Sequence, residues 1–359
     1  MAAYRFLSVD LVTGTIRDEL PLTAVKFGKR RNQPAPFTAT ASPYAPKITA
    51  ANLDPARTLV VIERAGKIVG DGIIWTPSSS GGADDRDVAF SGASLWSYFS
   101  RRRIRETRTY TDVDDATIVA DLVDWTQGSG SLTYGPSAGD PSGNIGIDTA
   151  GIVASGSTSS RTYNGDERKV VGEALSQFAD VEAIDLSIDV RWDSSGDMVR
   201  ELVVRTDTGV LLADDLVLGT NIVGYGLTTR GDLMETVVDG IGTGEGDAMV
   251  VRTAADPTAF PAYPRLDGLA VHKDVSVGAT LVTHATQQLL RHRRPPAVVK
   301  LDVDPTSRPT FGSWRIGDRA RVVIDDGYSQ VDGQYRIVAW EMTLDADGAE
   351  SVSLTTEQV

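Results

Sequence analysis

Toward its C-terminal end the chain carries four runs in which apolar and polar residues alternate: VVKLDVD (298–304), DRARVVIDD (318–326), GQYRIVAWEMTL (333–344) and ESVSLTTEQ (350–358). Alternation sends successive side chains to opposite faces, so each run is stable only as a strand with one face covered. Asp325-Asp326-Gly327 and Asp345-Ala346-Asp347-Gly348 separate runs and supply the Asx hydrogen bonds and the glycine that reverse a chain. The set predicts a β-meander, enough for a small barrel or half-sandwich. From Tyr4 to about Arg103 the texture is the same, in FLSVDLVTGTI, KFGKR, TLVVIERAGKIVGDGIIW and DVAFSGASLW, with turns at Thr13-Gly14, Ala65-Gly66 and Gly81-Gly82. The hairpin VVIERAGKIVGDGII is the clearest piece, its tip Arg64-Ala65-Gly66-Lys67 offering a glycine for a positive φ. Pro34, Pro36, Pro43 and Pro46 make Gly28 to Thr49 read as a long connection and not as a central strand.

Between these β-rich ends the period changes. After Arg101-Arg102-Arg103, Asp114 or Asp115 caps an expected helix with Ile118, Val119, Leu122, Val123 and Trp125 at three-and-four spacing. Residues 128–165 are rich in Gly, Ser, Pro and Thr and read as an exposed loop with at most a short hairpin. A second helix is expected in DERKVVGEALSQFAD, where Val170, Val171, Ala174, Leu175 and Phe178 share a face and Asp166 or Glu167 lies near the positive end of the dipole. IDLSIDVRW and ELVVRTDTGVLL then alternate about the turn Asp193-Ser194-Ser195-Gly196. A third helix runs from Val277 to about His292, with Leu281, Val282, Ala285 and Leu289 on its apolar face, and stops at Pro295-Pro296.

The fold class expected from these patterns is mainly β with α+β insertions: two small β-barrel domains, a middle α+β domain and a helical insertion. The expected boundaries are 1–103 for the first barrel and 104–216 for the α+β domain. The second barrel takes 217–359 and carries the insertion at about 266–297.

The stretch VVDGIGTGEGDAMVV (237–251) has glycine at every second position, Gly240, Gly242, Gly244 and Gly246. A phosphate cradle needs a strand, a glycine turn and then a helix whose N-terminus faces the anion. Downstream of Gly246 the chain reads DAMVVRTAADP, strand-like and then broken by Pro257. No Gly-Lys-Ser or Gly-Lys-Thr is present there, and the third glycine of the dinucleotide fingerprint is missing. These are therefore structural glycines: Val237, Val238 and Ile241 end one strand, Met249 to Val251 begin another, and the glycines let backbones approach or bulge at a tight barrel corner.

Charge and residue chemistry exclude several functions. With 35 basic and 49 acidic residues the formal charge is −14, against a surface whose main task is gripping nucleic acid. Cysteine is absent, which removes disulfides, thiolate metal sites and a cysteine nucleophile. The N-terminal apolar stretch is short and broken by Asp10, so no secretory signal is read there, and no apolar run reaches the length of a membrane helix. His272, His284 and His292 lack metal-ligand spacing, and no cofactor is expected. The pairs Asp84-Asp85, Asp114-Asp115, Asp214-Asp215 and Asp325-Asp326 sit at turns or caps, where adjacent carboxylates do not oppose each other across a cleft as glycoside hydrolysis requires. Gly92-Ala93-Ser94 lacks the second glycine of a nucleophile elbow, and Gly128-Ser129-Gly130 leads to no helix. Trp75, Trp96, Trp125, Trp192, Trp314 and Trp340 read as core. Arg101 to Arg105 and Arg291 to Arg294 come after apolar sequence without interleaved aromatics, which favours a solvated edge or intersubunit contacts over DNA binding.

Several segments occur in an order that resembles the hub proteins at the tail tip of bacteriophages. NIVGYGLTTRGDLMETVVDGIGTGEGDAMVVR (221–252) resembles the second barrel of that family, a strand ending in a Gly-x-Gly-x-Gly run and then an Arg-containing strand. LVVIERAGKIVGDGIIW and RDVAFSGASLWSYFSRRRI look like its first barrel. THATQQLLRHRRPPAVVKLDVD looks like the helix returning into the second, and IGDRARVVIDDGYSQVDGQYRIVAWEMTLDADGAESVSLT like its closing strands. The resemblance spans about Tyr4 to Leu354, is one of arrangement, and leaves 128–165 unmatched. It implies a non-enzymatic virion protein, assembled in the host bacterial cytoplasm and located at the tail tip. Three copies would form a ring of six similar faces around a channel. Implied partners are itself as a homotrimer, the distal tail or tail tube protein, tail-tip or fibre proteins, and the tape measure protein. Arg101, Arg102, Arg103, Arg291, Arg293 and Arg294 become candidate intersubunit or partner contacts. The alternative is a receptor- or carbohydrate-binding β module of a phage tail or bacterial surface structure.

Overall fold

The computed structural model describes residues 3–359 except 82–85, 129–142, 183, 207–208, 260–261, 274 and 295–296. The chain is mainly β. One sheet of 13 strands runs, in spatial order, Ile222–Thr229, Ala297–Val303, Glu350–Gln358, Gln330–Leu344, Thr23–Arg30, Pro36–Ala41, Arg86–Ala93, Lys67–Gly81, Thr58–Arg64, Tyr4–Asp10, Ile16–Glu19, with Leu216–Val217 and Arg319–Asp325 branching off Gln330–Leu344. The four C-terminal strands form where the alternation places them, and the hairpin tip turns at Ala65 (φ 48°) and Gly66 (φ 81°), the paired positive values of a type I′ turn.

Two expectations about the large sheet need correction. The sheets are not closed into barrels. The reason lies in Gln330–Leu344, which is 15 residues long and serves two neighbours along one edge. Gln330 to Arg336 pairs with Arg319–Asp325, and Ala339 to Thr343 pairs with Thr23–Arg30 from the other end of the chain. An irregularity between Ile337 and Ala339 separates the stretches, so the edge that a closing strand would use instead joins the N-terminal strands. The nearest approach to closure is a single bridge from Leu218 to Ile222. Secondly, Gly28 to Thr49 is not all connection. Gly28 lies within Thr23–Arg30, and Pro36–Ala41 pairs with Arg86–Ala93; Pro36 takes the first strand position, where a missing N–H is tolerated.

The run Leu59-Val60-Val61-Ile62 is buried on both faces, and its period of two feeds two cores. Val60 and Ile62 join Phe27, Phe37, Phe90, Leu301, Trp340 and Leu354, a core built from both ends of the chain. Leu59 and Val61 join Val9, Ile73 and Phe99 with the helices α1 (Asp115–Gln127) and α2 (Val171–Val181). Each fully buried side chain of this kind contributes about 1.5–3 kcal/mol relative to exposure. Asp114 caps α1, accepting from the N–H groups of Ala116 and Thr117 at 3.0 and 3.2 Å, and Ile118, Val119, Leu122 and Val123 are all buried as the spacing predicts. Asp166 and Glu167 belong to a separate short turn, Gly165–Glu167, and not to the first turn of α2.

A smaller sheet, Val251–Ala255, Val237–Ile241 and Asp267–Val271, is covered by α3 (Gly278–His292). Leu281, Ala285 and Leu289 are buried there, whereas Val282 faces solvent.

Candidate functional site

The glycine run begins in the central strand of this small sheet, with Gly240, and continues past its end. Val237–Ile241 pairs antiparallel with Val251–Ala255 and parallel with Asp267–Val271. A Cβ on Gly240 would lie 3.0 Å from Leu281 Cγ of α3, and one on Gly242 would lie 2.5 Å from the carbonyl of Val275. Gly244 (φ 102°) and Gly246 (φ 57°) turn the chain in the left-handed region. Close approach to α3 is thus the reason for Gly240, approach to the chain entering α3 the reason for Gly242, and turning the chain the reason for Gly244 and Gly246; the place is a strand under a helix and not a barrel corner. The three-residue turn Gly246–Ala248 leads into a strand, so no helix follows the loop in sequence as a phosphate cradle requires.

The basic residues separate into two groups at opposite ends of α2, roughly 15 Å apart along its axis. At the start, Arg101 is exposed, 5.9 Å from the Trp75 ring. Arg102 turns inward, donating to the Thr126 carbonyl at 2.7 Å and covering the Tyr98 ring at 5.6 Å. The Arg102 carbonyl accepts from Val171 N–H, and Arg103 donates to the Arg168 carbonyl at 3.3 Å. At the other end, Arg291 donates to the Asp180 carbonyl, and Arg293 and Arg294 are exposed just past α3. His292, between them, lies 3.3 Å from Glu235. His272 and His284 stack at 4.3 Å, a contact their spacing does not announce.

The carboxylate pairs do structural work where they are described. Asp215 meets Arg321 at 3.1 Å, and Asp326 accepts from the N–H groups of Tyr328 and Ser329 in its turn. Asp115 is fully buried, and burial pushes its carboxyl up. Asp84-Asp85 lies outside the described residues. Among the described residues, no three His, Cys, Asp or Glu side chains converge on a metal position, and no helix is long and apolar enough to cross a membrane.

Sequence reasoning missed the most connected polar region, where the N-terminal strands, the hairpin Asp185–Trp192 with Met198–Arg205, and the C-terminal strands meet. Asn32, 2% exposed, donates to the Ile184 carbonyl at 3.2 Å and accepts from Leu186 N–H at 2.7 Å, while its own carbonyl accepts from Ser176. Asp185 is held by Arg31 and by Arg336 at 3.7 Å, one from each end of the chain. Lys29 reaches Asp189 at 2.7 Å. Burial opposes ionisation of Asp189, but the charge and hydrogen bond of Lys29, the Arg205 charge and the Ser187 hydroxyl together outweigh it and hold the carboxyl below its usual range. Glu63 accepts from the Trp192 indole at 3.0 Å, and Arg64 binds Glu350 with two hydrogen bonds of 3.0 and 2.8 Å. Arg200, 3% exposed, donates to the carbonyls of Leu11, Ile145 and Asp10. Nothing local in KFGKRRNQ signals partners so far away in the chain. These contacts tie three portions of the chain together. Between the portions lies a cleft of about 250 Å³.

No protein-family model matches the chain, and no curated protein matches it in sequence. Solved structures do match it. A tail protein from Neisseria meningitidis MC58 is 16% identical, with a TM-score of 0.63 over 99% of this chain and 97% of that one. The 43 kDa tail protein of prophage MuSo2 from Shewanella oneidensis is 13% identical, with a TM-score of 0.65 over 99% and 98%. An E. coli component of the type VI secretion system, described as structurally similar to the T4 bacteriophage tail proteins gp27 and gp5, is 11% identical, with a TM-score of 0.51 over 94% and 73%. The fold is therefore one shared with phage tail proteins, in line with the sequence resemblance.

Proposed function

We propose that the chain is a structural virion protein, a trimeric hub at the tip of a bacteriophage tail. It joins the sixfold tail tube or distal tail ring to threefold tip or fibre proteins around a central channel. The observation that carries this reading is the end-to-end match to the Neisseria and Shewanella tail proteins, which leaves almost no part of either chain over. Its role is non-enzymatic, and the polar junction of Asn32, Asp185 and Asp189, which joins both ends of the chain to the middle, is consistent with a structural part. The exposed Arg101, Arg103, Arg293 and Arg294 are the proposed partner contacts, because arginine forks suit interfaces. The proposed units remain 1–103, 104–216 and 217–359. Labelling of virions with gold-conjugated antibody against this chain tests the location. Label at the distal end of the tail is expected; label along the tube or on the capsid would refute it.

A second reading, a receptor- or glycan-binding module, draws on Tyr328 and Tyr44, which are 97% and 74% exposed at turns. It predicts glycan binding by the isolated chain that Tyr328→Ala abolishes.

A further inference from the structure

The junction cleft is a basic hollow in an acidic protein. Its ionisable lining comprises Lys29, Arg30, Lys67, Arg205 and Arg315 against Asp71 and Asp189. Asp189 is already matched by Lys29 at 2.7 Å and Arg205 at 3.9 Å, and Arg315 has Asp318 at 3.5 Å. Asp71 is buried, and burial favours its neutral form. Arg30 and Lys67 are exposed, and among the described residues neither forms an ion pair. Two uncompensated cations thus stand at the solvent side of the cleft, although the chain as a whole carries −14.

Behind them the wall is aromatic. Phe311, Trp314 and Trp340 interlock edge to face with ring centroids 5.1 to 6.2 Å apart. Ile68 and Ile188 are among the aliphatic side chains of the lining, and the buried indole N–H of Trp96, which also lines the cleft, has no acceptor among the described residues. The volume of about 250 Å³ lies just below the range of drug-sized pockets, too small for a folded element and large enough for a single anchoring side chain.

We infer that this cleft binds a linear acidic segment of a partner protein. One aromatic or aliphatic side chain of the segment enters between Trp314 and Ile188, and the neighbouring carboxylates meet Arg30 and Lys67. Charge complementarity selects an acidic segment over a basic one. A peptide fits better than a nucleic acid strand, because Asp189 lies within the same small cleft and only two cations are left to meet phosphates. The site needs no second copy of the chain, so its test is independent of the trimer.

The test uses the full chain, titrated calorimetrically with N-acetyl-Asp-Trp-Glu-amide, N-acetyl-Lys-Trp-Lys-amide and a short oligothymidylate. The acidic peptide is expected to saturate with a Kd below about 1 mM, weakening at least about tenfold in Arg30→Glu/Lys67→Glu. Both substituted side chains are exposed, so that variant should melt like the parent; if it does not, Arg30→Gln/Lys67→Gln must show a loss of binding in the same direction. Absence of saturation by about 10 mM, equal affinity for the basic peptide, tighter binding of the oligothymidylate, or unchanged affinity in the variants would each overturn the inference.

Discussion

Replacing Asn32 with alanine strikes the polar knot that fastens the hairpin Asp185–Trp192 to the N-terminal strands. The change removes two side-chain hydrogen bonds and strands the Ile184 carbonyl and the Leu186 N–H in a position 2% exposed. Each buried orphan costs about 1–3 kcal/mol. Asn32 also sits at φ 53°, which alanine tolerates less well by about 1 kcal/mol. Together these give a destabilisation of about 4 kcal/mol. Asn32→Asp keeps the acceptor for Leu186 but faces the Ile184 carbonyl with an oxygen in a buried position, so its loss at neutral pH is expected to be no smaller than that of alanine and to ease in acid. Asn32→Gly relieves the backbone strain and keeps the hydrogen-bond loss. The assay is urea unfolding monitored by tryptophan fluorescence, with hydrogen exchange at the Leu186 amide as the local reporter. An Asn32→Ala variant within about 1 kcal/mol of the parent, with Leu186 still protected, would refute the assignment of the knot.

Other substitutions test separate links. A Cβ at Gly28 would sit 2.2 Å from the Trp340 carbonyl, a backbone atom that cannot rotate away, so Gly28→Ala should cost about 2–3 kcal/mol in urea unfolding by prising the two ends of the chain apart. Asp71 and Asp189 should respond to pH with opposite signs. Burial raises the Asp71 pKa, so its destabilising effect grows as pH rises above the unfolded value of about 3.9; Asp71→Asn should raise the melting temperature at neutral pH and lose that advantage in acid. The Asp189 pKa is lowered, so its stabilisation is present above about 3.9 and lost as pH falls through the folded value; Asp189→Asn should lower the melting temperature at neutral pH and match the parent in acid. Reversed signs in thermal scans would show the local charges to be misassigned.

Legibility in the sequence tracks the range of the interaction. Ile118, Val119, Leu122 and Val123 on α1 and the strands Arg319–Asp325 and Glu350–Gln358 are readable because a periodic pattern is local and reports directly which face is covered. Pairing partners are not. The half of Gln330–Leu344 that joins Thr23–Arg30 looks no different from the half that joins Arg319–Asp325, so an open continuous sheet and two closed barrels share one alternation pattern. Leu59 to Ile62 hints at burial on both sides, since an unbroken apolar run has no solvent face. Asn32 and Asp185 carry no signal at all, being polar residues whose meaning comes from partners at remote positions. The glycine run is legible as structural and α3 as a helix; that one packs over the other is not, because the contact between Leu281 and Gly240 joins residues that no local pattern connects.

The proposed hub stands or falls on a ring of three chains. Light scattering of the purified full chain across a concentration series, with negative-stain images of the same samples, measures this directly. A mass of three chains and a ring with a central hole are expected. A monomer that persists up to about 0.1 mM, with no rings in the images, would contradict the proposal.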